Sequence, residues 1–384
     1  MNSGLKNIAS SERRGFGRPG LLRAWGCLLV LLALGSFQRA EAAVGSWKFM
    51  VFGDTRGDDP ATPVNVTVLG ELARATLRER PAFVLVAGDL VYSGDPAAFQ
   101  AWTNVMAPVY DAGIRVYPVI GNHDVADVDA FIGAFGASLP TNGPANETSR
   151  TYAINYSNAL VLALDTYVIP DQVNQEWVDA VLATNTRPHV FALGHVPAFK
   201  VSHSDCLAEY PPARDAFWQS LGNAHCHIYF AGHDHFYDHT RLDDGDGNPF
   251  NDVHQIIVGT GGAPLYADGA YDGDNGLWTP LRQWHEEQYG YVIVEIDDDR
   301  VQATWRHRTG EDSYEATPEV LVFAGRPVLT CNYTSAHLTL TWTNGILQSA
   351  AGAMGAYEDV TNALSPYTVT NFVEPQQFFR LRGN

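Results

Sequence analysis

Phe49-Met50-Val51-Phe52-Gly53-Asp54 is an apolar run that stops on a glycine and a carboxylate. The same pattern returns four times. Residues 83–87 run into Gly88-Asp89, 116–120 into Gly121-Asn122-His123-Asp124, 190–193 into Gly194-His195, and 227–231 into Gly232-His233-Asp234-His235. Short runs rich in β-branched and aromatic residues and ended by glycine read as strands, and 160–164 reads as another. The stretches between them, 66–80, 99–110, 172–183 and 212–221, suit helices. In the first, Val68, Leu69, Leu72 and Leu77 form a stripe near the 3.6-residue period. Alternation of this kind predicts a layered α/β domain. Later strands at 253–258, 291–296 and 301–307 have no helical stretch between them and predict a second, antiparallel-rich sheet. The expected architecture is two packed sheets flanked by helices.

In open α/β sheets ligands bind beyond the carboxyl ends of the strands, and glycine there lets the backbone turn and approach closely. The five strand ends would bring Asp54, Asp89 and Asp124, the Asn122 amide, and the imidazoles of His123, His195, His233 and His235 to one edge. Alone, an Asp after a strand is a turn or cap residue, and a lone His is a hydrogen-bonded structural group. Five occurrences in equivalent positions are better explained by a shared ligand. Carboxylate, amide and imidazole suit zinc, manganese or iron, and the lack of a Cys cluster argues against structural zinc. A carboxylate shared by two ions holds them roughly 3.5–4 Å apart, the two-metal arrangement for in-line displacement at phosphorus. The chain has no G-x-S-x-G elbow, P-loop or H-E-x-x-H motif. Gly259-Thr260-Gly261-Gly262 reads as a tight turn near the site.

In order, Gly53-Asp54, Gly88-Asp89-x-x-Tyr92, Gly121-Asn122-His123-Asp124, Gly194-His195 and Gly232-His233-x-His235 resemble the five signature blocks of calcineurin-like metallophosphoesterases. The resemblance covers roughly residues 47–320. It implies a four-layer α/β/β/α sandwich around a dinuclear centre. Asp54 and His235 would bind the first metal, Asp89 would bridge, and Asn122, His195 and His233 would complete the second. His123, oriented by Asp124, would stabilise the phosphoryl group or protonate the leaving oxygen. The commonest first block is Asp-x-His, and here Arg56 holds the His position. Tyr92 instead resembles the purple acid phosphatase arrangement, in which a Tyr phenolate binds ferric iron. The implied metals are iron with zinc, manganese or a second iron. Arg56 either grips a substrate phosphate through its bidentate fork or pairs with a nearby carboxylate. The reaction implied is hydrolysis of phosphate esters, most simply monoesters of small molecules, by metal-activated hydroxide. A phosphodiesterase acting on nucleotides or lipid headgroups would share the ligands. A surface-binding protein with a vestigial site is the reading from another class, and the intact ligand set weighs against it.

Hydrophobic content of 46% with 17% charged residues describes a globular chain, and the formal charge of −19 argues against stable nucleic-acid binding. Arg13, Arg14, Arg18 and Arg23, then an apolar run over 25–34, then Ala40-Glu41-Ala42, have the order of a signal peptide over 1–42. That run is short of the roughly 18 residues a membrane span needs, so the mature chain, 43 onward, is expected to be exported without a span. Arg13-Arg14 with Phe16 partly matches a twin-arginine signal. Cys27 lies in the signal. Of Cys206, Cys226 and Cys331, the first two are the pair more suited to a disulfide, which export would permit. The catalytic domain is expected over 43–324. From Gly325 to the end, alternation of Leu338, Leu340 and Trp342 with threonines predicts a small all-β module, either a structural appendage or a surface- or glycan-binding unit. Asp243, Asp244 and Asp246, in the loop ending Gly247-Asn248, offer oxygen ligands to calcium without the full EF-hand spacing; the other reading is a solvated hairpin tip.

Overall fold

A computed structural model describes residues 45–249, 251–267, 269–324, 329–333, 337–342, 345–369 and 377–382. The expected signal peptide and the expected module start at Gly325 lie outside the described residues. Strand Trp47–Phe52 lies near the centre of a six-stranded sheet and pairs in parallel with Phe83–Val86, which pairs in parallel with Arg115–Pro118. A second sheet of seven strands contains the parallel run Ala159–Ala163, His189–Leu193, Cys226–Ala231 and Val253–Val258. Parallel pairing puts equivalent ends of neighbouring strands at one edge. It therefore gathers three Gly-ligand steps at one edge of the first sheet and two at one edge of the second.

The sheets pack face to face through aromatic side chains. Phe49 meets Phe191 edge-on at 5.2 Å and Phe230 at 6.4 Å, within the range of favourable ring pairs. Helices cover the outer faces. In Val66–Glu79, Asn65 caps the first turn by accepting from Val68 N at 3.1 Å, and Arg80 ends the helix in the left-handed conformation. Val68, Leu69 and Leu72 are buried as the stripe predicts, whereas Leu77 is half-buried and Ala73 and Thr76 complete the face. Helix Pro96–Asp111 starts on an Asp95 cap with Pro96 next, and buries Phe99, Trp102, Met106 and Val109 on one face. Helices Gln175–Thr184 and Pro211–Asn223 accompany the second sheet, whose outer core includes Val178, Phe217, Trp218 and Leu221. The four-layer α/β/β/α reading is borne out.

The expectation for the late strands needs correction. They do not form a sheet of their own. Val253–Val258 joins the second sheet in parallel, while Gly290–Asp297 pairs antiparallel with Trp47–Phe52, in register Trp47 to Ile296, and Arg300–Gly310 follows it. Missing crossover helices do predict antiparallel neighbours, but the hairpin extends an existing sheet. Cys206 and Cys226 are buried free thiols, not a disulfide. Burial pushes the Cys206 thiol up to about 12, so it stays protonated and behaves as a small apolar group. Past the catalytic strands, Leu329–Tyr333, Leu338–Trp342 and Tyr367–Val369 form one small sheet. Glu358–Asp359, Ile346–Ala350 and Phe378–Arg382 form another. Leu340, Leu347 and Val369 make a core for this region. No helix among the described residues is long and apolar enough to cross a membrane.

Candidate metal centre

The strand-end loops are stitched together by main-chain hydrogen bonds. Asp54 N donates to Gly88 O at 2.9 Å, Thr55 N to Asp89 O at 3.0 Å, and Gly53 N to Val258 O at 2.9 Å, the last tying one sheet to the other. Asp54, Asp89 and His233 have positive φ of 56°, 51° and 70°. None is glycine, so each conformation costs about 1 kcal/mol or more and persists because its surroundings fix it. Gly232 is required by proximity, since a Cβ there would lie 2.2 Å from Asp54 Oδ2. At Gly88, φ is +82° and a Cβ would lie 2.4 Å from His195 Nδ1.

Asp54, Asp89 and His195 are fully or almost fully buried and present ligand atoms within 4.8 Å of one another. His195 Nδ1 lies 2.7 Å from the Ala87 carbonyl, which can only accept, so that nitrogen carries the proton. In the neutral ring the lone pair of Nε2 then faces Asn122 Oδ1 at 3.0 Å and Asp89 Oδ1 at 3.4 Å, both acceptors. Burial lowers the His195 pKa and favours that neutral ring. His235 repeats the arrangement, with Nδ1 on Pro264 O at 2.8 Å and Nε2 3.4 Å from Asp54 Oδ1. His233 inverts it. Its Nε2 lies 3.3 Å from Asp205 Oδ1, and its Nδ1 is 3.1 Å from Asn122 Oδ1. Burial opposes charge on His233, but the hydrogen bond and charge of Asp205 outweigh it and raise its pKa. A proton there occupies a place suited to a cation. At His195 and His235 a bare ring nitrogen faces only amide and carboxylate oxygens, the arrangement a metal cation requires, while main-chain N–H groups of His233 and His123 hold Asp54 Oδ1 and Asp89 Oδ1 in place at 3.0 Å each. An outer partner fixing the second nitrogen is the usual support of a ligating His. The cluster of Asp54, Asp89 and His195, with Asn122 and His235 beside it, offers the oxygen and nitrogen donors that a metal ion takes.

The other expected residues are placed differently. His123 Nε2 lies 3.8 Å from Asp89 Oδ2, and its Nδ1 is bonded to the main-chain oxygen of Tyr92. Asp124 therefore does not orient that ring. Its buried carboxylate accepts from Leu90 N at 3.0 Å, Val91 N at 3.3 Å and Gly121 N at 2.9 Å, clamping the loops that carry Asp89 and Asn122. Burial, then the nearby Asp89 charge, pushes the Asp124 carboxyl well above the ordinary range against those three donors. The Tyr92 ring stands 5.5 Å from that of His123, and the Arg56 guanidinium lies 5.8 Å from its centroid. Arg56 Nε is 3.7 Å from Asp89 Oδ2, an ion-pair distance, yet it is enclosed without a hydrogen-bond partner.

Sequence reading missed the loops that complete the site. His203 Nδ1 bonds to Asp234 Oδ1 at 2.6 Å, and its ring is 4.7 Å from that of His233. Tyr266 stacks on His235 at 4.2 Å. The glycine-rich stretch does lie at the site, where Gly261 N donates to Gly53 O at 2.7 Å. The acidic hairpin is arranged otherwise than expected. Asp246 is taken up by Asn248 N at 2.6 Å and Asn251 Nδ2 at 2.9 Å, so Asp252, not Asp246, joins Asp243 and Asp244, and Arg241 bonds to Asp252 at 2.5 Å.

Residues 48–237 match the family described as calcineurin-like phosphoesterase. Among solved structures the chain is similar to purple acid phosphatase PPD1 from yellow lupin (Lupinus luteus) seeds, with a TM-score of 0.57 and 16% identity. That likeness covers 73% of this chain and 54% of the lupin one, so the chain spans about half the length of that phosphatase. It is similar also to GAP50, the anchor in the inner membrane complex of Plasmodium (TM-score 0.50, 15% identity, 74% of this chain and 90% of that one). A third is PhoD, at TM-score 0.50 and 12% identity over 78% of this chain and 70% of that one. At such identities the likeness is one of fold. No curated protein matches the chain in sequence. The family match spans every strand-end block from Asp54 to His235, and the four-layer fold and the convergent donor set agree with it: residues 48–237 form a calcineurin-like phosphoesterase domain.

Proposed function

We propose that the chain is an exported phosphomonoesterase working with two metal ions, one of them iron bound partly by Tyr92. The observation that carries the metal reading is the convergence of the bare nitrogens of His195 and His235 on the oxygens of Asn122, Asp89 and Asp54. Asp54, Asp89 and His235, with Tyr92, would hold one ion; Asp89, Asn122, His195 and His233 would hold the other. Bound there, such ions supply Lewis-acid charge to the ester and lower the pKa of water. The chain's own residues supply the rest. Arg56 has an enclosed Nε at the site that makes no hydrogen bond and lies 3.7 Å from Asp89 Oδ2, and its fork suits a phosphoryl dianion, which favours monoesters. His123, held by the Tyr92 carbonyl, directs Nε2 toward the same place as Asp89 Oδ2. It would donate to a phosphoryl oxygen. His203, with Nδ1 engaged by Asp234, keeps Nε2 for giving a proton to the departing alcohol. Export rests on the basic, apolar, Ala-x-Ala order of residues 1–42, and 325–384 is read as a separate β-rich module.

The test is elemental analysis of the purified chain together with initial rates on aryl phosphate monoesters and diesters. The expected result is about two metals per chain, iron included, and faster monoester turnover. Tyr92→Phe should remove the visible phenolate band of iron-loaded protein. A chain that stays metal-free after reconstitution refutes the enzyme reading, and faster diester turnover refutes the monoester one.

A further inference from the structure

Tyr167 carries a buried polar group that the reaction above does not use. It follows strand Ala159–Ala163, and its ring packs against both apolar cores. That ring stands 6.1 Å from the His195 ring. The loop is fixed locally. Asp165 accepts from Tyr167 N at 2.6 Å and from Val168 N at 3.2 Å, and its other oxygen takes Arg150 Nε at 2.5 Å. The phenol is thus held in place by its own backbone and by packing. Its oxygen is enclosed, yet no hydrogen-bond partner meets it.

A buried tyrosine hydroxyl normally finds a partner, so an orphaned one points to a ligand. Its surroundings say which kind. The carboxylates of Asp89, Asp171, Asp205 and Asp54 lie within electrostatic reach. Burial first, and their charges next, push the phenol well above its ordinary value, so it remains a donor throughout the working pH range. A donor beside a site that collects cations needs an acceptor that cations also attract. A phosphoryl oxygen satisfies both.

We infer that the Tyr167 hydroxyl donates a hydrogen bond to a phosphoryl oxygen of the ester bound on the Asp89–His195 side. This rests on the phosphoester reading and adds to it a substrate-binding group from a loop outside the five blocks. The geometry also carries a signature that a packing residue would lack. Removing the oxygen relieves an unpaired polar group in the phosphate-free protein but deprives the bound phosphate of a donor. Stability and affinity should therefore move in opposite directions.

The experiment compares Tyr167→Phe with the unmodified full chain, both reconstituted with metal. Metal content should be unchanged. Calorimetric titration with orthophosphate should show about tenfold weaker binding. Without phosphate, Tm should rise by about 1–3 °C, and with aryl monoesters the loss should fall mainly on KM. Unchanged phosphate affinity overturns the inference, and so does a lowered Tm with KM unchanged. If the metal-loaded unmodified chain binds no phosphate and hydrolyses no ester, the phosphoester reading falls and takes this inference with it. Phosphate binding by the unmodified chain with an indistinguishable Tyr167→Phe variant removes this inference alone.

Discussion

Asp124→Asn separates two roles for a residue that the sequence places beside His123. If Asp124 oriented that imidazole, the substitution would slow turnover and leave the fold alone. The structure gives it other work, since its two oxygens receive the amides of Leu90, Val91 and Gly121 at 2.9–3.3 Å in a fully buried position. Asparagine keeps the shape and one acceptor, but turns an NH2 group toward at least one of those amides. Each buried donor left without a partner costs about 1–3 kcal/mol, so Asp124→Asn should lose about 2–4 kcal/mol, a large share of the roughly 5–15 kcal/mol that holds a native chain. In urea that moves the unfolding midpoint of metal-free protein down by about 1 M. Asp89 and Asn122 sit on the clamped loops, so metal affinity should also fall, by the roughly 10–100-fold typical of lost outer-shell support. The assays are urea unfolding by near-ultraviolet circular dichroism and competition titration with a metal chelator. An unchanged midpoint and unchanged metal affinity, with turnover reduced more than tenfold, would refute the clamp and restore the orienting role.

Two further outcomes follow from the same geometry. Gly232→Ala places a Cβ 2.2 Å from Asp54 Oδ2 and 2.6 Å from the Ala87 oxygen, where overpacking costs about 1–3 kcal/mol; metal stoichiometry should fall by about one ion per chain, and full occupancy at unchanged affinity would rule out the close approach as the reason for glycine. His227 and His254 are buried on the second sheet, His227 bonded to His189 at 3.2 Å and His254 to His239 at 2.7 Å. Burial first, and the neighbouring imidazole next, holds both well below the ordinary His value. The unfolded chain therefore takes up protons first, below about pH 6.5, and stability present above that pH is lost as pH falls toward the folded values. The slope should approach about 1.4 kcal/mol per pH unit for each. His227→Phe should flatten the curve of urea midpoint against pH between about 6.5 and 5, and a variant curve parallel to that of the unmodified chain would contradict the assignment.

The legible part of the site shares one physical origin. Parallel strands end at one edge, so a residue's distance from the end of its own apolar run predicts where it will stand. Asp54, Asp89, Asn122, His195, His233 and His235 each follow such a run by two to four residues, and they meet. Local order also misled. Asp124 follows His123 in sequence, but a one-turn helical segment begins there and its side chain faces back to Leu90 and Gly121. Of the late strands, Gly290–Asp297 and Arg300–Gly310 have the expected antiparallel character with unexpected partners, because pairing between Trp47–Phe52 and Gly290–Asp297 leaves no periodic trace in either segment.

The groups that were missed lie further out along the loops: His203 and Asp205 stand 10 and 12 residues beyond the strand end Leu193, Tyr167 stands 4 beyond Ala163, and Tyr266 stands 8 beyond Val258. Each is brought back by a contact that no spacing encodes: His203 by Asp234, Asp205 by His233, Tyr167 by Asp165 and the two cores, Tyr266 by its stack on His235. On the proposed reading the metal ligands follow strand ends closely, whereas His203 and Tyr167 would reach the substrate from loops. A chain can then retain the first set while changing the second, so the metal chemistry is readable from sequence pattern while ester preference must be read from the loop contacts.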